Sequence, residues 1–250
     1  MDIQFYYMVE FNMIIEGLIK RKYLSRPNRF TVEVVDEDGC VELAHLHDPG
    51  RLTELLVVDV PILIRYSDNY EKTGRKTKYD VVAISYLGDW VLINSSYHNK
   101  LVEELIEDGS VSSLRDYEVE KSEVKYGDSR FDFLLVNRDY ERMYLEVKGC
   151  TLCVDNVAMF PDAPTSRGKR HVDELTDIYL NCGKSSVIIL VLSNRAEKFM
   201  PNHIRDPDFS KSLENAVESG VNVIAFKIKT TFRDESIELS ADGEIPILFN

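Results

Sequence analysis

The stretch "SSVIILVLS" (Ser185–Ser193) is almost entirely apolar. A strand with no polar face must be covered on both sides, as in the parallel core of a layered α/β sheet. Its neighbours supply the covers. Helical periodicity is expected over about Ser166–Asn181, ending at Gly183, and over about Asp208–Ser219, ending at Gly220. "VNVIAFKIK" (Val221–Lys229) reads as the next strand. Upstream, "NKLVEELIEDG" (Asn99–Gly109) is a helix with Leu101, Val102, Leu105 and Ile106 on its apolar side. Strands are expected at Tyr117–Lys125, Arg130–Val136 and Met143–Leu152. The order αβββαβαβ describes an α/β domain with a mixed sheet.

The first part of the chain has a different rhythm. "RFTVEVV" (Arg29–Val35) and "CVELAHL" (Cys40–Leu46) alternate around a turn, "DPG" turns again, and "RLTELLV" reads as a short helical stretch. "PILIRYS", "YDVVAISYL" and "WVLINSS" follow as strands, with Trp90 expected in a core. Five short strands in this space suggest a small closed barrel of the OB type. The expected fold class is therefore α+β in two domains, an N-terminal OB-like β-barrel at 18–97 and a C-terminal α/β domain at 98–250. Residues 1–17 are expected to be an N-terminal extension, without the early Lys or Arg of a secretory signal.

In the hairpin "SRFDFLLVNRDYERMYLEVKG" (Ser129–Gly149), three charged residues interrupt two apolar strands. Turning the hairpin at Asp139 pairs Val136 with Arg142 and Leu134 with Tyr144. Asp132 then faces Glu146, and Arg130 faces Lys148. Opposed Cβ atoms lie ~4.5–5.5 Å apart, so the two carboxylates repel one another unless a cation lies between them. Hard oxygen ligands suit Mg²⁺ or Mn²⁺, with the Val147 carbonyl a further donor. Lys148 is placed to orient a water or to stabilise charge on a phosphate. An acidic pair with ExK on adjacent strands after a helix is the core pattern of PD-(D/E)XK nucleases. The catalytic set read here is Asp132, Glu146 and Lys148. The alternative is a salt-bridge cluster of Arg130, Asp132, Glu146 and Lys148 on an exposed sheet face. Such nucleases often draw another metal ligand from the first helix, where Asn99, Glu103 and Glu104 are all candidates.

The net charge of −13 weighs against a uniformly basic surface, and any nucleic-acid site must be a local patch. In the barrel, Arg26, Arg29, Arg51, Arg75, Lys76 and Lys78 come from three segments that a closed barrel brings together, with Asn28, Tyr70 and Tyr79 nearby for hydrogen bonds or stacking. In "TSRGKRH", Arg167, Lys169, Arg170 and His171 surround a helix start that favours phosphate. Each barrel residue taken alone is more often a surface residue, and the helix start is equally readable as a solvated basic turn. No apolar run reaches the roughly 20 residues of a membrane span. Cys40, Cys150, Cys153 and Cys182 form no disulfide framework and suit a reduced, cytoplasmic setting. Cys150 and Cys153, on a continuing strand, would point to opposite faces. There is no GxGxxG or GxxxxGK[ST], which weakens a soluble phosphorylated or sugar substrate.

Several stretches together resemble the sugar fermentation stimulation proteins. They are "RPNRF", "HDPGRLTELL", "RKTKYD", "NKLVEELI", "VKYGDSRFDFLL", "YLEVKGCTL" and "FPDAPTSRGKRHVDEL". The likeness runs from about Leu18 to Lys229, and the FPDA…RG…H segment is its most specific part. It implies sequence-nonspecific DNA binding by an OB-like domain joined to a nuclease-like one. It equally allows a regulatory, non-catalytic DNA-binding protein linked to sugar metabolism, with the nuclease-like domain as a platform. His98 stands where the family commonly has proline.

Overall fold

The computed structural model describes residues 11–249. Part of the segment expected as an extension belongs to the main sheet: β1 (Asn12–Ile15) pairs antiparallel with the last strand of the chain. Residues 1–10 lie outside the described residues.

The barrel is built from β2 (Leu18–Asn28), β3 (Thr31–Val35), β4 (Val41–His45), β5 (Pro61–Tyr66) and β6 (Tyr79–Tyr86), with a single-turn helix α1 (Tyr70–Thr73) before β6. These strands lie in the order β4-β3-β2-β5-β6, and a parallel β4–β6 pairing closes the ring. β7 (Asp89–Leu92) adds to β6 outside the closure. The sequence reading missed β2. Register shifts at Tyr23/Ser25 and Ser25/Asn28 break its pairing with β3, so its inward positions do not alternate. The helix expected at "RLTELLV" is only a turn. Leu52 sits at φ 50°, a left-handed conformation that α-helix excludes.

The second domain continues with α2 (His98–Glu107), β8 (Tyr117–Tyr126), β9 (Ser129–Asn137) and β10 (Arg142–Cys150). Then come β11 (Cys153–Val154), β12 (Val157–Phe160), α3 (Ser166–Cys182) and β13 (Ser185–Val191). β14 (Lys198–Pro201), α4 (Pro207–Ser219), β15 (Asn222–Arg233) and β16 (Ser236–Glu244) complete it. The seven-stranded sheet runs β1-β16-β15-β13-β10-β9-β8, and β13 is parallel to both its neighbours. Val187 to Leu192 are completely buried, as an apolar strand between two layers requires. α3 and α4 cover the face bearing Val187 and Ile189, while α2 and the barrel cover the face bearing Ile188 and Leu190.

One apolar cluster runs without a break from the barrel interior into that second face, linking Val32, Ile62 and Val81 with Leu101, Leu145 and Phe226. Trp90 lies at this junction, 5.2 Å from Phe232 between ring centres. β10 ends at Cys150, so Cys150 and Cys153 both turn into one core cluster instead of pointing apart. All four cysteines are free thiols.

Candidate active site

The hairpin pairs as its sequence predicts, Val136 with Arg142 and Leu134 with Tyr144, but the ladder ends at Phe133–Leu145. One step further the strands part, and the Val147 amide lacks a cross-strand carbonyl. The Asp132 side chain takes its place: Oδ2 accepts from the Val147 amide at 2.8 Å. Oδ1 accepts from the Asn99 side-chain amide at 2.9 Å. Asp132 therefore lies between the strands rather than standing opposite Glu146 as a laddered pair.

Glu146 is 4% exposed. Its Oε1 receives Lys148 Nζ and also lies 2.6 Å from His171 Nδ1, while Oε2 is buried with no partner among the described residues. His171, expected on a basic turn, is 1% exposed beneath Glu146. The apolar stripe of α3, with Gly168, Val172, Leu175 and Ile178 buried, carries it inward. Arg167 Nε reaches His171 Nε2 at 3.4 Å. Arginine only donates, so Nε2 accepts and Nδ1–H donates to Glu146. Burial pushes the Glu146 carboxyl up, but the His171 hydrogen bond and Lys148 outweigh it and hold it below the usual carboxylate range. At Asp132, burial and then the Glu146 charge push the carboxyl up, opposed by the Val147 and Asn99 donors.

Of the first-helix candidates, Asn99 is the one bonded to this centre. Glu104 pairs with Lys100 at 3.6 Å. Glu103 follows Asn99 by one turn and is half-buried. Arg130 pairs with Glu123 at 2.6 Å, away from Glu146 and Lys148. The expected four-residue salt-bridge cluster thus reduces to the Lys148–Glu146 pair. Among the described residues, no group of three His, Cys, Asp or Glu side chains is arranged to hold a metal alone. The donor chemistry still fits a hard cation, because two carboxylates meet here and one buried oxygen is unpartnered.

The basic residues divide into braces and exposed charges. Arg26 donates to the carbonyls of Gly50, Arg51 and Arg29, so it holds the DPG loop. Arg75 is bound to Ser67, Thr77, the Tyr79 carbonyl and Asp80. Arg29 reaches the Pro49 carbonyl at 3.0 Å. The Lys169 and Arg170 charges meet Asp173 and Glu174 one turn along α3. Arg51, Lys76 and Lys78 are exposed. Lys78 Nζ lies 5.0 Å from the Tyr79 ring centre and 6.0 Å from that of Tyr66.

The two domains meet beside the hairpin of β9 and β10. Asp162 Oδ2 accepts from the Arg51 and Leu52 amides at 2.8 and 3.3 Å. These bonds hold the barrel loop in the left-handed turn that displaced the expected helix. A cavity of about 260 Å³ lies at the seam. In its wall, Asp48 accepts from the Gly50 amide at 2.6 Å. Burial, with the Asp162 charge, pushes the Asp48 carboxyl up to about 6. The folded protein then holds the Asp48 proton more tightly than the unfolded chain, and stability falls as pH rises from about 4 to about 6. Asp48→Asn should therefore stabilise the protein above pH 6 by about 1–3 kcal/mol, with no gain below about pH 4. Thermal unfolding across pH measures this, and an equal effect at both ends would contradict it.

Two family models match. Residues 24–93 match the "SfsA N-terminal OB domain" and residues 96–234 match the "Sugar fermentation stimulation protein RE domain". A sugar fermentation stimulation protein homolog of Methanosphaera stadtmanae is 52% identical over 237 residues, covering 95% of this chain and 98% of its own. The corresponding homolog of Methanothermobacter thermautotrophicus is 46% identical, covering 89% and 91%. In structure, the chain is similar to Pyrococcus furiosus SfsA in complex with Ca²⁺, with a TM-score of 0.85 and 26% identity over 95% of this chain and 98% of that one.

Proposed function

The chain belongs to the sugar fermentation stimulation protein family, and on that premise we propose that it is a cytoplasmic, largely sequence-nonspecific DNA-binding protein with a Mg²⁺- or Mn²⁺-dependent phosphodiesterase site. The barrel, residues 18–97, holds the nucleic acid, and residues 98–250 carry the chemistry. The observation that carries the reading is the buried, unpartnered Oε2 of Glu146 beside Asp132. Mg²⁺ commonly takes one or two carboxylates and completes its shell with water and substrate phosphate. A two-carboxylate site is therefore suited to a cation that binds together with DNA. The similar structure of Pyrococcus furiosus SfsA in complex with Ca²⁺ supports a divalent-cation site in this fold.

Asp132 and Glu146 would hold the cation, with the Val147 carbonyl as a further donor. When bound, the cation supplies Lewis acidity at the phosphoryl oxygen and a more acidic water. The rest falls to this chain. Asn99 and the Val147 amide fix the Asp132 carboxylate, and His171 fixes Glu146. Lys148 exchanges Glu146 for the phosphate or the attacking water, where its charge stabilises the anionic transition state. Arg51, Lys76 and Lys78 neutralise backbone phosphates.

Titration of Mn²⁺ tests the centre. Asp132→Asn should weaken binding by about tenfold or more, through loss of a formal charge at the ion. Equal affinity in both proteins would remove the metal site. Replacing Arg51 and Lys76 together with Ala should weaken DNA binding alike for all sequences and lower the salt slope by about 2. An unchanged slope would move the binding surface elsewhere.

One observation favours a second reading, a regulatory DNA-binding platform without turnover. Both Asp132 oxygens and Oε1 of Glu146 already have protein partners. Strand cleavage assayed with Mg²⁺ and Mn²⁺ separates the two.

A further inference from the structure

We propose that the cavity between the two domains is a nucleoside subsite, which receives one base and sugar unstacked from the strand whose phosphate lies at Lys148. This rests on the DNA reading above and adds to it what the strand does beside the phosphate.

The cavity opens beside the catalytic hairpin, with Lys148 in its wall. Its volume is about 260 Å³, below the roughly 300–1,000 Å³ of sites for drug-sized ligands. That is room for a single unit of a strand. Its apolar lining includes Met159, Phe160, Pro161 and Pro164, which suit the face of a flat ring. Its polar lining includes the carboxylates Asp48 and Asp162, with Arg29 and Lys148 as the cations. Carboxylates repel a phosphate and accept from N–H and O–H donors. A phosphate is therefore favoured at Lys148, and a neutral group rich in donors is favoured inside. A nucleobase edge with its sugar has this character.

His98 provides the observation that points to a ligand. It opens α2, lines the cavity and is 7% exposed. Its Nε2 is buried with no hydrogen-bond partner among the described residues. Nearly all buried polar side-chain atoms have one. Gly149 holds the ring in place: a Cβ on Gly149 would lie 2.2 Å from His98 Cε1. The ring thus rests on bare backbone, one residue from Lys148. Burial pushes the imidazole down to about 4, so at neutral pH it offers hydrogen bonding without charge. The site is also preformed, because the Asp162 bonds to the Arg51 and Leu52 amides join its two walls.

The test uses the full chain and four small probes: deoxyadenosine 5′-monophosphate, thymidine 5′-monophosphate, 2-deoxyribose 5-phosphate and glucose. Calorimetry gives affinity, and saturation-transfer NMR shows which ligand protons touch the protein. Both nucleotides should bind, with the strongest transfer at base protons, and deoxyribose phosphate should bind about tenfold more weakly. His98→Phe should weaken nucleotide binding about tenfold, and His98→Asn, which retains a polar atom, should restore most of it. If His98→Phe does not fold, the comparison of nucleotide with deoxyribose phosphate decides the matter in the wild type. Equal binding of these two would mean that only phosphate is held, and would overturn the subsite. So would glucose binding as tightly as the nucleotides, or a folded His98→Phe that binds them unchanged. Base-dependent binding without strand cleavage would leave the subsite standing and remove the phosphodiesterase. Cleavage without base-dependent binding would remove the subsite alone.

Discussion

Lys148→Ala is expected to lower strand cleavage on the order of 10²-fold or more while leaving DNA affinity nearly unchanged. The ammonium is not a metal ligand, and its loss removes one of the two donors on Glu146 Oε1, leaving His171. Mn²⁺ affinity should therefore hold or rise. Without metal, the variant leaves the buried Glu146 with His171 as its hydrogen-bond partner, so the apoprotein should melt earlier and Mn²⁺ should restore the difference. Single-turnover cleavage, Mn²⁺ titration and thermal unfolding with and without metal make the three measurements. A purely structural ion pair predicts the stability loss with no specific effect on cleavage. Undiminished cleavage in Lys148→Ala would exclude the lysine from the chemistry.

The second large effect is expected at Gly149. A methyl group there would overlap His98, with Cε1 at 2.2 Å and Nδ1 at 2.6 Å. The ring is buried at the start of α2, so it must shift, and the first turn of the helix with it. Overpacking of this kind costs about 1–3 kcal/mol, or roughly 2–12 °C in Tm for a chain of this size. The displacement also pulls on Asn99, the next residue of α2, and through it on Asp132. Gly149→Ala should therefore lose both stability and metal affinity. His98→Ala removes the obstructing ring, so in that background Gly149→Ala should cost little, and the double-mutant cycle isolates the contact. A melting temperature equal to wild type for the single variant would show that α2 yields freely.

Much of this architecture is legible in the residues, and the exceptions have physical causes. The apolar strand β13 announces two covering layers, and the hairpin register follows from its turn. β16 alternates at Ile237, Leu239 and Ala241, yet nothing before it marks a hairpin. Its two-residue turn uses Asp234 and Glu235 at φ 48° and 59° instead of the usual Asn-Gly, so the hairpin signal is absent. Asp132 was placed by extending a ladder that ends one pair earlier, and sequence carries no mark of where strands splay. His171 is a different case. Its spacing from Val172, Leu175 and Ile178 places it on the buried stripe of α3, but its basic neighbours suggested surface. Arg26 and Arg75 look like phosphate ligands from their charge alone; Arg26 instead braces carbonyls some two dozen residues away, and Arg75 braces its own loop through Ser67, Thr77, Asp80 and the Tyr79 carbonyl.

The continuous apolar cluster between barrel and sheet has a consequence for mechanics. Opening the domains like a jaw would expose its interior to water. On the proposed DNA-binding reading, the protein would meet DNA as a stiff template, and the work of conforming would fall on the nucleic acid. Duplex DNA resists bending over roughly 150 base pairs of persistence length. A nick, gap, flap or single strand removes that resistance locally. Among DNAs of equal length and charge, the ones with a flexible joint should be held most tightly, and the preference should follow the joint rather than the base sequence around it.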